Sequence, residues 1–335
     1  MKSERKVKID WASSETDKDG KIVGNYLGYA THTKNLLQSI RKRKDIEITN
    51  KAKNTLIITT PEGYKNKIQG KKNWLFTMFE GSLPEDYIKS IQKADYLLTP
   101  STWVSDLFKP HFKNKIYTIP HGVTKDYKFK KRSFPENKPF RFLWVGAPNP
   151  RKGWEELIFL WKHCGFENFS NIELYLKTTG VSLELGKMKN VVLDGRKLPK
   201  HELINLYNSA HCFLLPHRGE GFGLTLAEAM ATGLPCIATN YSGVTDFFDS
   251  KVGFAVDYEI KKTKMINPKT KVEVEIDAGF PILEDLVSKM KDVFMNYDYA
   301  LRLGKKASDR IKKKFTWYNS ATTLINVLKE NEAWQ

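Results

Sequence analysis

Cysteine is scarce, with three in 335 residues. Cys164, Cys212 and Cys236 are odd in number and lack metal-ligand spacing, and two of them fall inside apolar strand-like runs, which argues against a disulfide framework or a zinc cage. Packing in a reducing compartment is the role expected of them. Long hydrophobic runs are missing as well: none approaches the ~18 residues that a bilayer-spanning helix needs. The opening MKSERKVKID is too charged for a signal peptide, so a cytoplasmic protein is expected. There is no internal repeat and no low-complexity tract. What is present suffices for ordinary cores, since 41% of residues are apolar and 12% aromatic. At ~150 residues per domain the length predicts two of them.

Acidic residues are the other shortage, and it is local. Residues 1–140 carry 28 basic and 15 acidic side chains, a net of +13, whereas the remaining 195 carry 27 and 23, a net of +4. A lysine-rich coding bias would raise both parts alike. The asymmetry points to a large anionic partner for the first part; the plainer alternative is a solvated surface spread by its own repulsion.

Short apolar segments alternate with helix-like ones in the first part: VKIDW at 7–11, TLIITT at 55–60, WLFTMF at 74–79, YLLT at 96–99 and KIYTIP at 115–120. This rhythm predicts a parallel sheet with crossover helices. Within GYATHTKNLLQSIRKR, apolar residues recur at helical spacing and basic residues crowd the C-terminal end, where they also suit the helix dipole. TKDYKFKKRSFPENKP then reads as a linker. A second series follows at 140–146, 171–177, 190–195, 211–216, 234–239 and 252–256, so two doubly wound α/β domains in series are expected, with ligands in a central cleft that both face. The predicted divisions are an acceptor-binding domain over 1–138, a donor-binding domain over 139–315 and a C-terminal helix over 316–335 that crosses back to the first. Residues 258–276 read as a hairpin turning at Asn267-Pro268.

The chemistry concentrates in HRGEGFGLTLAEAMATGLPCIATNYSG, His217 to Gly243. Glycines at 219, 221 and 223 leave backbone amides uncovered just before a helix expected to begin near Leu224, which makes a phosphate site. Glu220 and Glu228 frame it, eight positions apart. Carboxylates repel phosphate, so they are expected to face neutral hydroxyls on either side: a sugar and a ribose. A glycine-rich turn alone has tight packing as its common explanation; here two acids and a following strand accompany it.

EGFGLTLAEAMATGLP resembles the Glu-x7-Glu signature of the retaining family 4 glycosyltransferases, which have the GT-B fold. TPSTWVSDLFK at 99–109, IPHGV at 119–123, VGAPNPRKGWEEL at 145–157 and LDGRKLPKHELINLYNSAHCFLLP at 193–216 fall in the same family order, as does a glycine turn at Gly28 before a helix. The resemblance implies transfer of a sugar, with retention, from a nucleotide-diphosphate sugar, most simply a UDP-hexose. Glu228 then accepts hydrogen bonds from the ribose, Glu220 holds hydroxyls of the moving sugar, and the amides of Phe222, Gly223 and Leu224 meet sugar and phosphate. Lys152 neutralises the diphosphate, whose charge grows as the bond breaks. Arg151 stands in for an arginine that relatives carry directly after the strand glycine, where this sequence has Ala147 after Gly146. Gly221, Thr225, Arg196 in LDGRK and Gly28 complete the implied donor set. A donor phosphate oxygen can take the acceptor proton, so no protein nucleophile, metal or cofactor is implied.

Glu80, in FTMFEGSLP, either contacts the acceptor or caps a helix starting near Pro84. His121 is expected at a turn near the cleft, and His32 at a solvated helix position. Arg41, Lys42, Lys71 and Lys72 are the candidate contacts to an anionic acceptor. The stretch from Lys44 to Phe76 offers lysines without an apolar stripe, which suits a polyanion better than a membrane-lying helix. A hydroxymethylated base in duplex DNA is one such acceptor, by analogy with viral GT-B enzymes. The alternative is an envelope glycan or glycolipid at an anionic membrane surface. A non-catalytic nucleotide-sugar-binding protein is the third reading, disfavoured by intact Glu220, Glu228 and Lys152.

Overall fold

The computed structural model describes residues 6–13, 27–179, 188–266, 273–331 and 333. They fall into two compact units, one comprising Met1–Thr124, Lys264–Ile276 and Lys314–Gln335, the other Lys125–Thr263 and Asp277–Lys313.

In the first unit the chain runs β1 (Val7–Ser13), α1 (Leu27–Ile40), β2 (Ile46–Ile48), β3 (Asn54–Ile58), β4 (Lys72–Phe76), α2 (Glu85–Ile91), β5 (Tyr96–Thr99), α3 (Thr102–Phe108) and β6 (Ile116–Thr118). The six strands form one sheet in the order β2-β1-β3-β4-β5-β6, and every pairing is parallel. Strands buried on both faces read as continuous apolar runs, and the C-terminal part of β4 obeys this, with Trp74, Leu75 and Phe76 all without solvent exposure. Leu75, Leu97, Val104 and Phe108 share one core cluster. Each such side chain stabilises the unit by about 1.5–3 kcal/mol relative to an exposed one. Because the strands share one direction, the connections that enter them gather along one rim of the sheet and those that leave them along the other.

The second unit runs β7 (Phe140–Val145), α4 (Trp154–His163), β8 (Ile172–Lys177), β9 (Val191–Asp194), α5 (Lys200–Ser209), β10 (Cys212–Leu215), α6 (Leu224–Ala231), β11 (Cys236–Thr239) and β12 (Phe254–Val256). Its sheet order, β12-β11-β10-β7-β8-β9, is again wholly parallel. A hairpin follows, β13 (Tyr258–Ile266) with β14 (Glu273–Pro281). The turn expected at Asn267-Pro268 lies outside the described residues. The helices α7 (Leu283–Met295) and α8 (Tyr297–Lys314) close the second unit, and α9 (Trp317–Glu330) belongs to the first. There Arg43 donates to Thr322 Oγ1 at 2.8 Å from the end of α1, and Ser320 Oγ donates to the Pro120 carbonyl at 2.5 Å.

Three expectations need correction. The stretch 125–138 is no free linker. Tyr127 is buried, the Lys130 amide donates to the Thr232 carbonyl at 2.9 Å, and Arg132 donates to Thr232 and to the Tyr207 carbonyl. The units therefore divide at Thr124, earlier than 138. Cys164 is exposed at the end of α4 and packs in no core, unlike Cys212 and Cys236. His32 is not solvated: it has 0% exposure, with its ring 4.2 Å from Phe76 and 4.2 Å from His121. α1 turns this position inward, and burial drives both imidazoles toward the neutral form.

Candidate active site

The residues expected to form a phosphate site in the second unit meet where β7 and β10 end. After Val145 the chain leaves the sheet, and Asn149 Oδ1 accepts from the Arg151 amide at 2.9 Å, starting the short turn Pro150–Lys152. Gly153 closes the turn at φ +75°, and an added Cβ would lie 1.9 Å from the Pro216 carbonyl oxygen, so glycine is obligatory there. Trp144 Nε1 donates to the Lys152 carbonyl at 2.9 Å, anchoring the turn to the core.

The loop after β10 comes back against this turn. Lys152 Nζ hydrogen-bonds Glu220 Oε1, and Arg151 donates to the Gly219 carbonyl with its guanidinium 3.8 Å from Glu220 Oε2. Glu220 is 4% exposed. Burial alone would raise its pKa; Lys152 first, then Arg151 and His217, outweigh that and hold the carboxyl at about 2. His217 is itself fully buried beside this cluster, and burial brings it down to about 4. The loop is clamped from behind: Ser242 Oγ accepts from the Glu220 amide at 2.8 Å, and the Gly243 amide donates to the Glu220 carbonyl at 2.9 Å. Gly243 allows this approach, since a Cβ there would stand 2.3 Å from the Gly221 carbonyl oxygen.

Gly221, Phe222 and Gly223 are all buried, Leu224 and Thr225 half-buried. Phe222 packs on Phe247 with ring centroids 4.9 Å apart, so its ring is engaged in packing and its backbone is what is left for the role the resemblance implies. Gly223, at φ +96°, is the N-cap of α6, and the helix opens at Leu224 as expected. One turn further, Glu228 Oε2 accepts from the Tyr207 hydroxyl at 3.1 Å and is also hydrogen-bonded by Tyr127. Burial lifts the Glu228 carboxyl to about 7 despite these two donors. The two acids thus differ in kind: Glu220 is locked as an anion between cations, and Glu228 shares a pocket with neutral phenols.

Arg196 stands apart from this group. Its side chain, 72% exposed, is drawn onto Asp194, with Nη2 to Oδ2 at 2.8 Å. Beneath it Lys177 is buried, its Nζ 3.8 Å from Asp194 Oδ1 and donating to the Asp194 carbonyl at 3.2 Å.

In the first unit the implied site residues separate. Glu80 follows β4 and His121 follows β6, so both belong to the leaving rim, as does Gly28 at the start of α1. Gly28 lies within the first turn of α1, not before it, and a Cβ there would meet nothing within 4 Å. Glu80 does not occupy the capping position of α2, which is Pro84. His121 is buried against His32 and Trp317. Arg41 and Lys42 follow α1, while Lys71 and Lys72 lead into β4, so these four belong to the entering rim, the other end of the sheet.

Sequence reasoning missed Tyr127, Tyr207, Ser242, Gly243, His217 as a buried neighbour, Arg218 and the Lys177–Asp194 pair. Arg218 bonds Glu156 at 2.7 Å and steadies the loop's approach. Among the described residues, no group of three or more His, Cys, Asp or Glu side chains is placed to hold a metal ion, and no helix is long and apolar enough to cross a membrane.

With this geometry in hand, similarity to known proteins becomes informative. A solved structure of the Anabaena protein Alr3699/HepE in complex with UDP and glucose superposes with a TM-score of 0.68 at 12% identity, covering 97% of this chain and 100% of that one. The fold is GT-B. Residues 125–265 match the family described as glycosyl transferases group 1. An uncharacterized glycosyltransferase of Methanocaldococcus jannaschii is 25% identical over 71% of this chain and 60% of its own length. A probable sucrose-phosphate synthase of Thermosipho melanesiensis is 28% identical over 66% of this chain and 49% of its own. The matches thus span about half to three fifths of these relatives' length.

Proposed function

We propose that the protein is a retaining glycosyltransferase that moves a hexose from a UDP-sugar to a hydroxyl acceptor. The observation that carries this reading is the convergence of Lys152, Arg151 and Glu220 on a glycine loop whose backbone opens α6. Two cations and a helix N-terminus make a receptor for a diphosphate. A buried carboxylate held ionised beside them is an acceptor for sugar hydroxyls, and Glu228 with its phenol partners suits the ribose.

In the transfer, the acceptor oxygen bonds to the anomeric carbon as the bond from that carbon to the phosphate oxygen breaks. The departing phosphate oxygen takes the acceptor's proton on the same face. Lys152, Arg151 and the first amides of α6 stabilise the charge that grows on the diphosphate, where one such donor contributes roughly 2.7–4 kcal/mol. The reaction is expected to run in EDTA. A binding protein without catalysis would retain the diphosphate receptor and turn nothing over.

For the acceptor, the charge of the first unit favours a polyanion such as DNA with hydroxymethylated bases, with an envelope glycan as the other candidate. Of the implied acceptor residues, Glu80 and His121 share the rim that ligands use in open parallel sheets; the cationic four do not. Charge therefore bears on docking rather than on which hydroxyl reacts. The test is donor hydrolysis with a panel of nucleotide sugars, then mass spectrometry of hydroxymethylated DNA and of envelope glycans after incubation. Absence of both hydrolysis and transfer with every donor would overturn the assignment.

A further inference from the structure

The excess charge of the first unit is not spread over it. The segments that lead into β2 through β6, residues 41–45, 49–53, 65–72, 92–95 and 109–115, hold 14 basic residues and 2 acidic ones, Asp45 and Asp95. Parallel topology gathers these segments on one rim. The two acids are already engaged, Asp45 by Arg43 and Lys329, Asp95 by Lys67 and the Asn73 amide. By contrast Lys42, Lys44, Lys51, Lys53, Lys72 and Lys113 are exposed and make no ion pair with the described residues.

The row has a length and a shape. Six strands at the usual inter-strand spacing span about 24 Å, close to roughly seven base-pair steps of a duplex. Where β4, β5 and β6 begin, the rim dips into an open groove of about 560 Å³ lined by Lys72, Asp95, Tyr96, Lys113, Asn114 and Lys115. Tyr96 is fixed as its wall by stacking on buried Trp74, centroids 3.9 Å apart. No large apolar side chain of these segments is exposed; within the described residues of the unit a single exposed one, Tyr318 on α9, lies beside the row, its ring centroid 5.1 Å from the Arg43 guanidinium. A surface that anchors in lipid needs such residues beside its lysines. A surface that grips phosphates by charge alone does not.

We infer that the entering rim of the first sheet is a sequence-independent docking surface for duplex DNA, separate from the residues that would carry out transfer. The inference rests on charge and topology and does not depend on the proposed transfer chemistry.

The experiment is fluorescence anisotropy of a labelled duplex of about 20 base pairs with the full-length chain across a salt series, without any sugar donor. If about five phosphates are neutralised, the log–log slope is about −4.5. The triple variant Lys53→Glu, Lys113→Glu, Lys115→Glu is expected to bind at least about tenfold more weakly and to lose roughly 2.7 from the slope, three contacts' worth. A charge-matched control in the second unit, Lys251→Glu, Lys291→Glu, Lys306→Glu, is expected to keep the wild-type slope. The corresponding glutamine variant of the rim, checked by thermal melting, gives the same reading if the reversal variant does not fold. Absence of duplex binding, equal losses in rim and control variants, or tighter binding to phosphatidylserine-containing vesicles than to duplex would each overturn the inference.

Discussion

Two regions of the chain handle charge in opposite ways. Around the glycine loop of the second unit, Lys152, Arg151 and Glu220 are withdrawn from water and locked together, so each depends on the others. Along the entering rim of the first unit, the lysines are exposed, and six of them have no ion-pair partner among the described residues. A withdrawn charge is set by one geometry, and removing one partner leaves another uncompensated, at a cost of about 3–5 kcal/mol. Exposed charges act as a sum, and any one of them is nearly dispensable. Under the proposed function and the inferred docking surface, the difference separates chemistry from adhesion, and it can be tested residue by residue.

The hardest test falls on Lys152. Lys152→Ala is expected to lower kcat at saturating UDP-sugar by roughly 100- to 1,000-fold, because the charge it meets grows only in the transition state. Normal turnover in this variant would erase the contrast. Next comes the turn that carries it. Gly153→Ala places a Cβ against Pro216 at positive φ, and urea unfolding should show a loss of about 3 kcal/mol. A loss below about 0.5 kcal/mol would mean that the turn is not held as described.

Glu228 sharpens the comparison further, since it is a half-buried acid held by two phenols rather than by a cation. Glu228→Ala is expected to weaken UDP-sugar binding by about 1.5–3 kcal/mol, measured calorimetrically. Its pH behaviour has a definite sign. The folded-state pKa, about 7, lies above the ordinary 4.5, so the folded chain holds the proton more tightly and stability declines as pH climbs from about 4.5 to 7. Glu228→Gln should therefore melt higher than wild type at pH 8, by a margin on the order of 1–2 kcal/mol, and the gain should vanish near pH 4.5. A pH-independent difference would show that the carboxyl is not buried as an acid. The smallest effect belongs to the rim: Lys72→Ala should change stability by under about 0.5 kcal/mol and duplex affinity by one phosphate contact, a slope change of about 0.9.

Much of this was legible before any coordinates. The apolar runs that mark β4, β5 and β7 are buried along most of their length, and β8 alternates buried with half-buried residues, so composition and periodicity reveal them, and the glycines ahead of Leu224 announce the helix they cap. β2 was not legible, because three residues, Ile46–Ile48, carry too little pattern. Tyr127 and Arg132 hid inside a lysine-rich, proline-ended stretch, where composition says linker while two anchoring side chains decide the packing. Arg41, Lys42, Lys71 and Lys72 are grouped with Glu80 on charge alone, although Lys71 and Lys72 precede and Glu80 follows the same apolar run. The parallel pairing of the strands puts the four at the other end of the sheet. The Tyr207–Glu228 bond is of the same kind, joining residues on α5 and α6 that no local rule connects.

The bond between Lys152 and Glu220 also bears on how a cycle would end. Under the proposed function, an arriving UDP-sugar offers both partners a substitute at once, phosphate for the lysine and hydroxyls for the carboxylate, so the pair can part. After transfer the UDP left behind still engages the lysine, but nothing on it replaces the lost sugar at Glu220. The carboxylate then competes to reclaim its cation, and that recapture favours release of the spent nucleotide. The same contact that ties the two loops together would thereby limit product inhibition.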